Sequence, residues 1–311
     1  MTLYKRLCVV VVVAVTAVVL GAGSAHAAPA PFRLPPLPEP IATWLRPPVP
    51  PAKRLADSWA VAQKSIRKAT PGQLGVSLVP VGSDAAQSFG TLKTGRAWST
   101  FKVPVALAAE RKNGASILVK EDKAITFSDN DAAGDLWGSL GGGKRSVDAV
   151  TAVLREGHDV TTRVSSEIDT PRSYPGYTQW ALADQARFGA HLPCMPNTKN
   201  ILDHMGSVAP NQRWGIADLG PKQHAVTAVK GGWGPATHAA PGYLVRQLGL
   251  ISTDQGEVAV AMAARPASGK FEDGTKMLTK VGDWLGQNFT SIPAGKSSRV
   301  STVRLVSRTA G

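Results

Sequence analysis

The order of the segments with strand character constrains the fold of this chain more than any other feature. Alternating and β-branched patterns predict strands near both ends of the sequence, with a long, mostly helical stretch between them. The predicted strands are 73–81, 87–93, 223–232, 242–251 and 257–264. Because strands distant in sequence can pair in one antiparallel sheet, the stretch between the two groups must form a separate lobe.

The predicted fold class is therefore α+β, an antiparallel sheet flanked by helices with a second, all-helical lobe at about 112–210. Apolar residues at helical spacing predict helices at 53–70, 97–111 and 271–289. The folded domain is thus expected to span 53–289. A cleft between its two lobes is the expected place for a ligand.

The N-terminus has the features of a targeting segment. Lys5 and Arg6 precede an apolar run at 7–20, and small residues lead up to Ala27. This pattern predicts a cleaved signal peptide at 1–27 and an extracytoplasmic, envelope-associated protein, although an uncleaved anchor remains the alternative. The proline-rich 28–52 is predicted to be an extended linker and the basic, Ser/Thr-rich 290–311 a flexible tail.

The charge balance is strongly basic, with 35 Lys and Arg against 22 Asp and Glu and a net charge of +13. The basic residues are scattered and aromatic residues make up only 6% of the chain, which argues against nucleic acid as the partner. Electrostatic attraction to an anionic cell wall or membrane surface explains the charge more simply. We expect a monomer.

A serine and a lysine three positions apart, Ser99 and Lys102, open the helix predicted at 97–111. Pro104 is tolerated only in a first helical turn, so the helix should start near Ser99. A serine at that end can be an acyl-transfer nucleophile if a desolvated Lys102 takes its proton. The same spacing recurs at Ser65 and Lys68, so a surface Ser and Lys remains the alternative.

Two further polar motifs fall near the expected cleft. Ser128-Asp129-Asn130 precedes an Ala-rich segment, where ordinary helix capping is the alternative. Lys230-Gly231-Gly232-Trp233 ends a predicted strand. There a lysine could hold a substrate carboxylate while the glycines let the substrate lie along the strand; a glycine-rich turn with a solvated lysine is the alternative.

In this order, the three motifs resemble S-x-x-K, S-D-N and K-T-G of the class A β-lactamases and penicillin-binding proteins. The segments 128–142 and 157–164 are also similar to that family, so the resemblance spans roughly 53–289, with a three-layer fold. It implies Ser99 as nucleophile, Lys102 as its base, Ser128 as proton relay, Asn130 as ligand of the substrate amide and Lys230 as stabiliser of Ser128. Gly232 and Trp233 would also contact the substrate, and the N–H groups of Ser99 and Trp233 would form the oxyanion hole.

Three departures from the family pattern bear on turnover. Gly231 stands where the family usually has a hydroxyl residue, and the chain between Lys102 and Ser128 is short, which implies a trimmed helical lobe. Glu167 is the nearest candidate for a deacylation base, but it lies one residue too close to Arg163. Without such a base an acyl-enzyme would persist.

Two functions remain open on the sequence. The first is a secreted serine hydrolase acylated at Ser99 by a β-lactam or by peptidoglycan-derived, cell-wall peptide-like amides. The second is a non-catalytic protein of the same fold that binds cell-wall material. No metal or other cofactor is expected, because the histidines show no metal-binding spacing and no phosphate loop occurs.

Overall fold

A five-stranded antiparallel sheet forms the centre of the computed structural model, which describes residues 50–166, 175–219, 225–237 and 242–297. Its strands are Gly72–Pro80 (β1), Gln87–Gly90 (β2), Val226–Pro235 (β5), Tyr243–Thr253 (β6) and Gly256–Pro266 (β7). They lie in the order β2-β1-β7-β6-β5. The sheet therefore joins strands from both ends of the sequence, as their order predicted.

Two short strands, Thr94–Arg96 (β3) and Gln179–Ala181 (β4), pair with each other outside the main sheet. In this region the structure differs from the sequence prediction in two ways. The strand predicted at 87–93 ends at Gly90, whose φ of +81° turns the chain out of the sheet. The lobe predicted as all-helical contributes β4, because these residues pair with β3 directly before the turn that carries Ser99.

The helices follow the predicted pattern closely. Their bounds are Pro51–Ala69 (α1), Lys102–Asn113 (α2), Leu118–Thr126 (α3), Asn130–Ser139 (α4), Gly143–Glu156 (α5), Leu182–His191 (α6), Lys199–Gly206 (α7) and Phe271–Gln287 (α8). Because α1 begins at Pro51, the last two residues of the predicted linker belong to a helix.

Both faces of the sheet are buried, as the alternation along β7 illustrates. Val258, Val260 and Met262 pack with the core of α1 and α8, whereas Ala259 and Ala261 face α6. Helices α2, α3, α4, α5 and α7 form the second lobe around their own apolar core. The three layers are thus α1 with α8, the sheet, and α6 with the helical lobe.

The start of the predicted C-terminal tail packs against the domain. Ile292 is buried, and Gly295 exchanges two backbone hydrogen bonds with Glu257 of β7, of 2.8 and 2.9 Å. The prediction of a flexible tail is therefore wrong for residues 290–297. The predicted signal peptide and nearly all of the linker lie outside the described residues, as do Glu167 and 298–311. Among the helices in the described ranges, none is long and apolar enough to cross a membrane.

Candidate active site

A tight turn carries Ser99 into helix α2. Trp98–Phe101 form a 3₁₀ turn that continues directly into the α-helix at Lys102, and Pro104 is the third residue of that helix, where its missing N–H costs nothing. Trp98 has a φ of +47°, a left-handed conformation that bulky residues rarely adopt. Strained backbone of this kind clusters at functional sites.

A buried arginine on β6, which the sequence did not indicate, stabilises this turn through hydrogen bonds. Arg246 of β6 is fully buried and donates to the carbonyl of Gly95 at 2.8 Å and that of Arg96 at 3.1 Å. It also donates to Gln185, whose amide donates in turn to Thr100 Oγ1 at 2.9 Å. Burial lowers the pKa of Arg246 to about 9. These bonds fix the backbone on both sides of Ser99.

The Ser128-Asp129-Asn130 segment is both a helix cap and part of the site. Asp129 caps α4, since its carboxylate accepts from the N–H of Ala132 at 2.7 Å. Ser128 has a φ of +59°, which turns the chain between α3 and α4 and presents Ser128 and Asn130 to the neighbouring lysines. The capping alternative is therefore correct for Asp129, and it positions the other two residues.

Lys102 is buried and points at this segment. Its Nζ lies 2.6 Å from the carbonyl oxygen of Ser128, 3.3 Å from Ser128 Oγ and 2.8 Å from Asn130 Oδ1. Burial lowers the pKa of Lys102 to about 8, although the charge of Asp129 raises it in part. No hydrogen bond joins Lys102 to Ser99 in the described structure. By contrast Ser65 and Lys68, at the same spacing, are exposed.

Lys230 of β5 is completely buried, so the alternative of a solvated lysine is wrong. Its Nζ donates to Ser128 Oγ at 2.9 Å, to Gln212 Oε1 at 3.1 Å and to the carbonyl of Gly231 at 3.0 Å. Burial, reinforced by the charge of Lys102, lowers the pKa of Lys230 well below its usual value. Ser128 Oγ thus lies between two amines that both release protons readily.

Gln212 is a second residue that the sequence analysis did not find. It is buried, and its Nε2 donates to the carbonyl of Thr126 at 3.0 Å, which leaves Oε1 for Lys230. No acidic residue accepts a hydrogen bond from Lys230 among the contacts described. The neutral amide oxygen of Gln212 accepts instead, and it stabilises a protonated amine less than a carboxylate would. A lone glutamine in a 3₁₀ turn carries no sequence signal for this role.

The glycines after Lys230 allow β5 to approach the turn of Ser99. A Cβ added to Gly232 would lie 2.9 Å from the N of Thr100 and 3.0 Å from both the N of Ser99 and the carbonyl oxygen of Ala97. A Cβ on Gly231 would lie 2.7 Å from the ring of Trp214. The position of Gly231, where the K-T-G motif has a hydroxyl residue, is thus closed by an indole.

The candidate residues meet at one cavity of about 480 Å³. Ser99, Lys102, Ser128, Asn130 and Trp233 line it, together with Trp98, Phe101, Val105, Ala133, Gly134, Trp137, Pro175 and Gly176. Lys230 and Gly232 lie behind this lining and contact Ser128 and the Ser99 turn. Apolar and polar groups thus share a space the size of a small-molecule site.

No protein-family model matches the sequence, and the search of curated proteins gives no match either. Solved structures do match. A β-lactamase from Xanthomonas campestris is similar with a TM-score of 0.59 and 18% identity, over 78% of this chain and 99% of that one.

Two reconstructions of an ancestral class A β-lactamase of Gram-negative bacteria give the same result. One has a TM-score of 0.56 over 72% of this chain and 97% of its own. A single-substitution variant has a TM-score of 0.58 over 77% and 98%, and both are 18% identical to this chain. The described chain therefore has the fold of the class A β-lactamases.

Proposed function

We propose that the protein is an extracytoplasmic serine hydrolase whose Ser99 is acylated by β-lactams or by cell-wall peptide-like amides. The observation that carries the proposal is the placement of Ser128 Oγ, 2.9 Å from Lys230 Nζ and 3.3 Å from Lys102 Nζ, in the cavity that Ser99 lines. The fold neighbours are themselves described as β-lactamases.

In the first step, Ser99 Oγ attacks the amide carbonyl and its proton passes to Lys102. A lysine with a pKa of about 8 is neutral in a useful fraction at neutral pH. Because Lys102 Nζ is hydrogen-bonded to Ser128 and Asn130 in this structure, the amine has to turn towards Ser99 when substrate binds. Backbone N–H groups of Ser99 and Trp233 are the proposed donors to the oxyanion.

In the second step, the carbon–nitrogen bond breaks and the leaving nitrogen takes the proton of Ser128. Protonated Lys102 restores that proton, so Ser99 ends as an ester and both lysines return to their initial state. Lys230 holds Ser128 Oγ in place throughout. Burial and the charge of Lys102 lower the pKa of Lys230, which reduces the build-up of positive charge beside protonated Lys102. Water then hydrolyses the ester.

A specific observation favours a second function, that of a non-catalytic protein that binds cell-wall material. The ring of Trp214 closes the position of Gly231, where a hydroxyl would contact the substrate carboxylate, and the net charge of +13 suits an anionic polymer. In that case the cavity would hold a wall fragment without acylation. Glu167, the candidate deacylation base, lies outside the described residues.

Intact-protein mass spectrometry after exposure to benzylpenicillin tests the proposal. We expect one covalent adduct per chain, absent from Ser99→Ala and retained by Ser65→Ala, the matched control with the same Ser–Lys spacing on an exposed helix. The decay of the adduct over time then separates turnover from a persistent acyl-enzyme. No adduct on the parent, or an adduct that survives Ser99→Ala, would overturn acylation at Ser99. Retention of the parent on peptidoglycan without any adduct would select the second function.

A further inference from the structure

A cluster of two histidines and an aspartate lies apart from the cavity, on three different elements. Asp84 is in the turn between β1 and β2, His158 follows the end of α5, and His191 is the last residue of α6. The histidines stand 74 and 107 residues from Asp84 in sequence, which explains why no spacing motif revealed the group. None of the three residues lines the cavity.

The three side chains converge on a single point. Asp84 Oδ1 lies 2.9 Å from His158 Nδ1 and 2.9 Å from His191 Nε2, and all three potential ligand atoms lie within 4.8 Å of one another. The imidazole rings stack with centroids 3.6 Å apart. Around a tetrahedral ion with bonds of about 2.0–2.1 Å, ligand atoms stand about 3.3 Å apart. To admit an ion, Asp84 Oδ1 would move outward by a few tenths of an ångström, and the stacked rings would turn so that both nitrogen lone pairs point to one position.

We propose that Asp84, His158 and His191 form a binding site for a divalent transition-metal ion of the zinc class. Two imidazole nitrogens and one carboxylate oxygen are ligands typical of zinc, whereas Mg²⁺ and Ca²⁺ select sites built from oxygen alone. Three protein ligands leave the fourth position to water. In this site the ion would replace the two N–H donors that the histidines now direct at Asp84.

The surroundings of the cluster suit an ion that enters from solvent. The side chains of His158 and Asp84 are 50% and 61% exposed, whereas His191 is nearly buried. Arg187 approaches the cluster, and its Nε donates to the carbonyl of Asp84 at 3.4 Å. Its guanidinium is held by Asp184 at 2.5 Å, so its charge is largely offset.

A backbone hydrogen bond keeps two of the three ligand-bearing segments together without the ion. The N–H of Gly82 donates to the carbonyl of Ala190 at 3.0 Å, which ties the turn of Asp84 to the end of α6. A bound ion would join this turn, the end of α5 and the end of α6. Since an ion that binds only the native state adds to its stability, the protein should resist heat better with zinc than without it.

His204 offers a matched control within the same chain. It also contacts two carboxylates, but through opposite ring nitrogens: Nε2 lies 3.4 Å from Glu121 and Nδ1 lies 3.2 Å from Asp122. One ion cannot accept lone pairs from both sides of a single ring. The arrangement around His204 is therefore a set of ion pairs, and removing this histidine should leave zinc binding intact.

Isothermal titration of the chelator-treated full chain with ZnCl₂ tests the proposal. We expect one ion per chain and a rise in melting temperature that MgCl₂ does not produce. His158→Asn removes one ligand while keeping a residue that tolerates the φ of +62° at this position. This variant and Asp84→Asn should each bind zinc at least about tenfold more weakly, and His204→Asn should bind it as the parent does.

Two results would overturn the proposal. The first is no heat of binding and no thermal shift for the parent at millimolar ZnCl₂. The second is unchanged affinity in both His158→Asn and Asp84→Asn, which would place the ion elsewhere, for example at the free thiol of Cys194. Unfolding curves of the variants without zinc check that each one folds. The test is independent of acylation at Ser99, so either proposal can fail alone.

Discussion

Replacing Gly232 by alanine should test the close contact between β5 and the Ser99 turn without changing any other residue of the site. The added Cβ would lie 2.9 Å from the N of Thr100 and 3.0 Å from the N of Ser99 and the carbonyl oxygen of Ala97. Ordinary contacts of a Cβ begin at about 3.4 Å. Because all three neighbours are backbone atoms, no side chain can rotate to make room.

The strand and the turn therefore have to separate by about half an ångström. Overpacking of this kind costs roughly 1–3 kcal/mol of unfolding free energy. A misplacement of about 1 Å at a reacting centre costs about 10²-fold in rate. We thus expect Gly232→Ala to acylate with benzylpenicillin about tenfold more slowly than the parent.

The matched control is Gly134→Ala, at a glycine of helix α4 that lines the cavity itself. A Cβ there meets nothing within 4 Å, so this variant should label at the rate of the parent and be equally stable or slightly more stable. Urea unfolding and time-resolved mass spectrometry measure the two effects separately. If Gly232→Ala matches the control in both measurements, the close approach of β5 to the Ser99 turn is wrong.

Three further predictions concern single groups. Burial raises the pKa of Glu121 from 4.5 to about 7, and Glu121 raises the pKa of His204. Because the folded state then binds more protons than the unfolded state, both shifts stabilise it at low pH. The free energy of unfolding should therefore fall as the pH rises from about 4.5 through 7. In Glu121→Gln the difference in unfolding free energy between pH 5 and pH 8 should shrink by up to roughly 3 kcal/mol, and an unchanged difference would contradict this. Gly231→Thr should destabilise the protein by about 1–3 kcal/mol through its clash with Trp214; a double-mutant cycle with Trp214→Ala should recover part of that loss, and strict additivity would argue against the clash. The labelling rate should rise with pH to a plateau above about pH 8, where Lys102 is neutral; a flat profile from pH 6 to 9 would exclude Lys102 as the base.

The order and type of the main elements could be predicted from the sequence because their signals are local. Periodicity placed the sheet strands and the helices within a few residues of their observed bounds, and Pro104 set the start of α2. The errors fall where pairing with a distant partner decides the structure. β3 and β4 are only three residues each, and they exist because they pair with one another across the fold.

The candidate site divides in the same way. Residue type and spacing in the three short motifs were enough to indicate Ser99, Lys102, Ser128 and Lys230. Gln212 and Arg246 gave no signal, since each acts through bonds to residues that lie far away in sequence. The closure of Gly231 by Trp214 was equally invisible.

Taken alone, the sequence determined which segments become strands and helices, and which hydroxyl and amine groups could do chemistry, because backbone preference and functional-group identity belong to individual residues. Only the tertiary structure decided that Lys230 is completely buried with no acidic partner among the described residues, and that Asp84 meets two histidines from separate helix ends. The physical reason is that burial, pKa and metal affinity depend on which groups are adjacent in space. That adjacency is settled when the whole core packs.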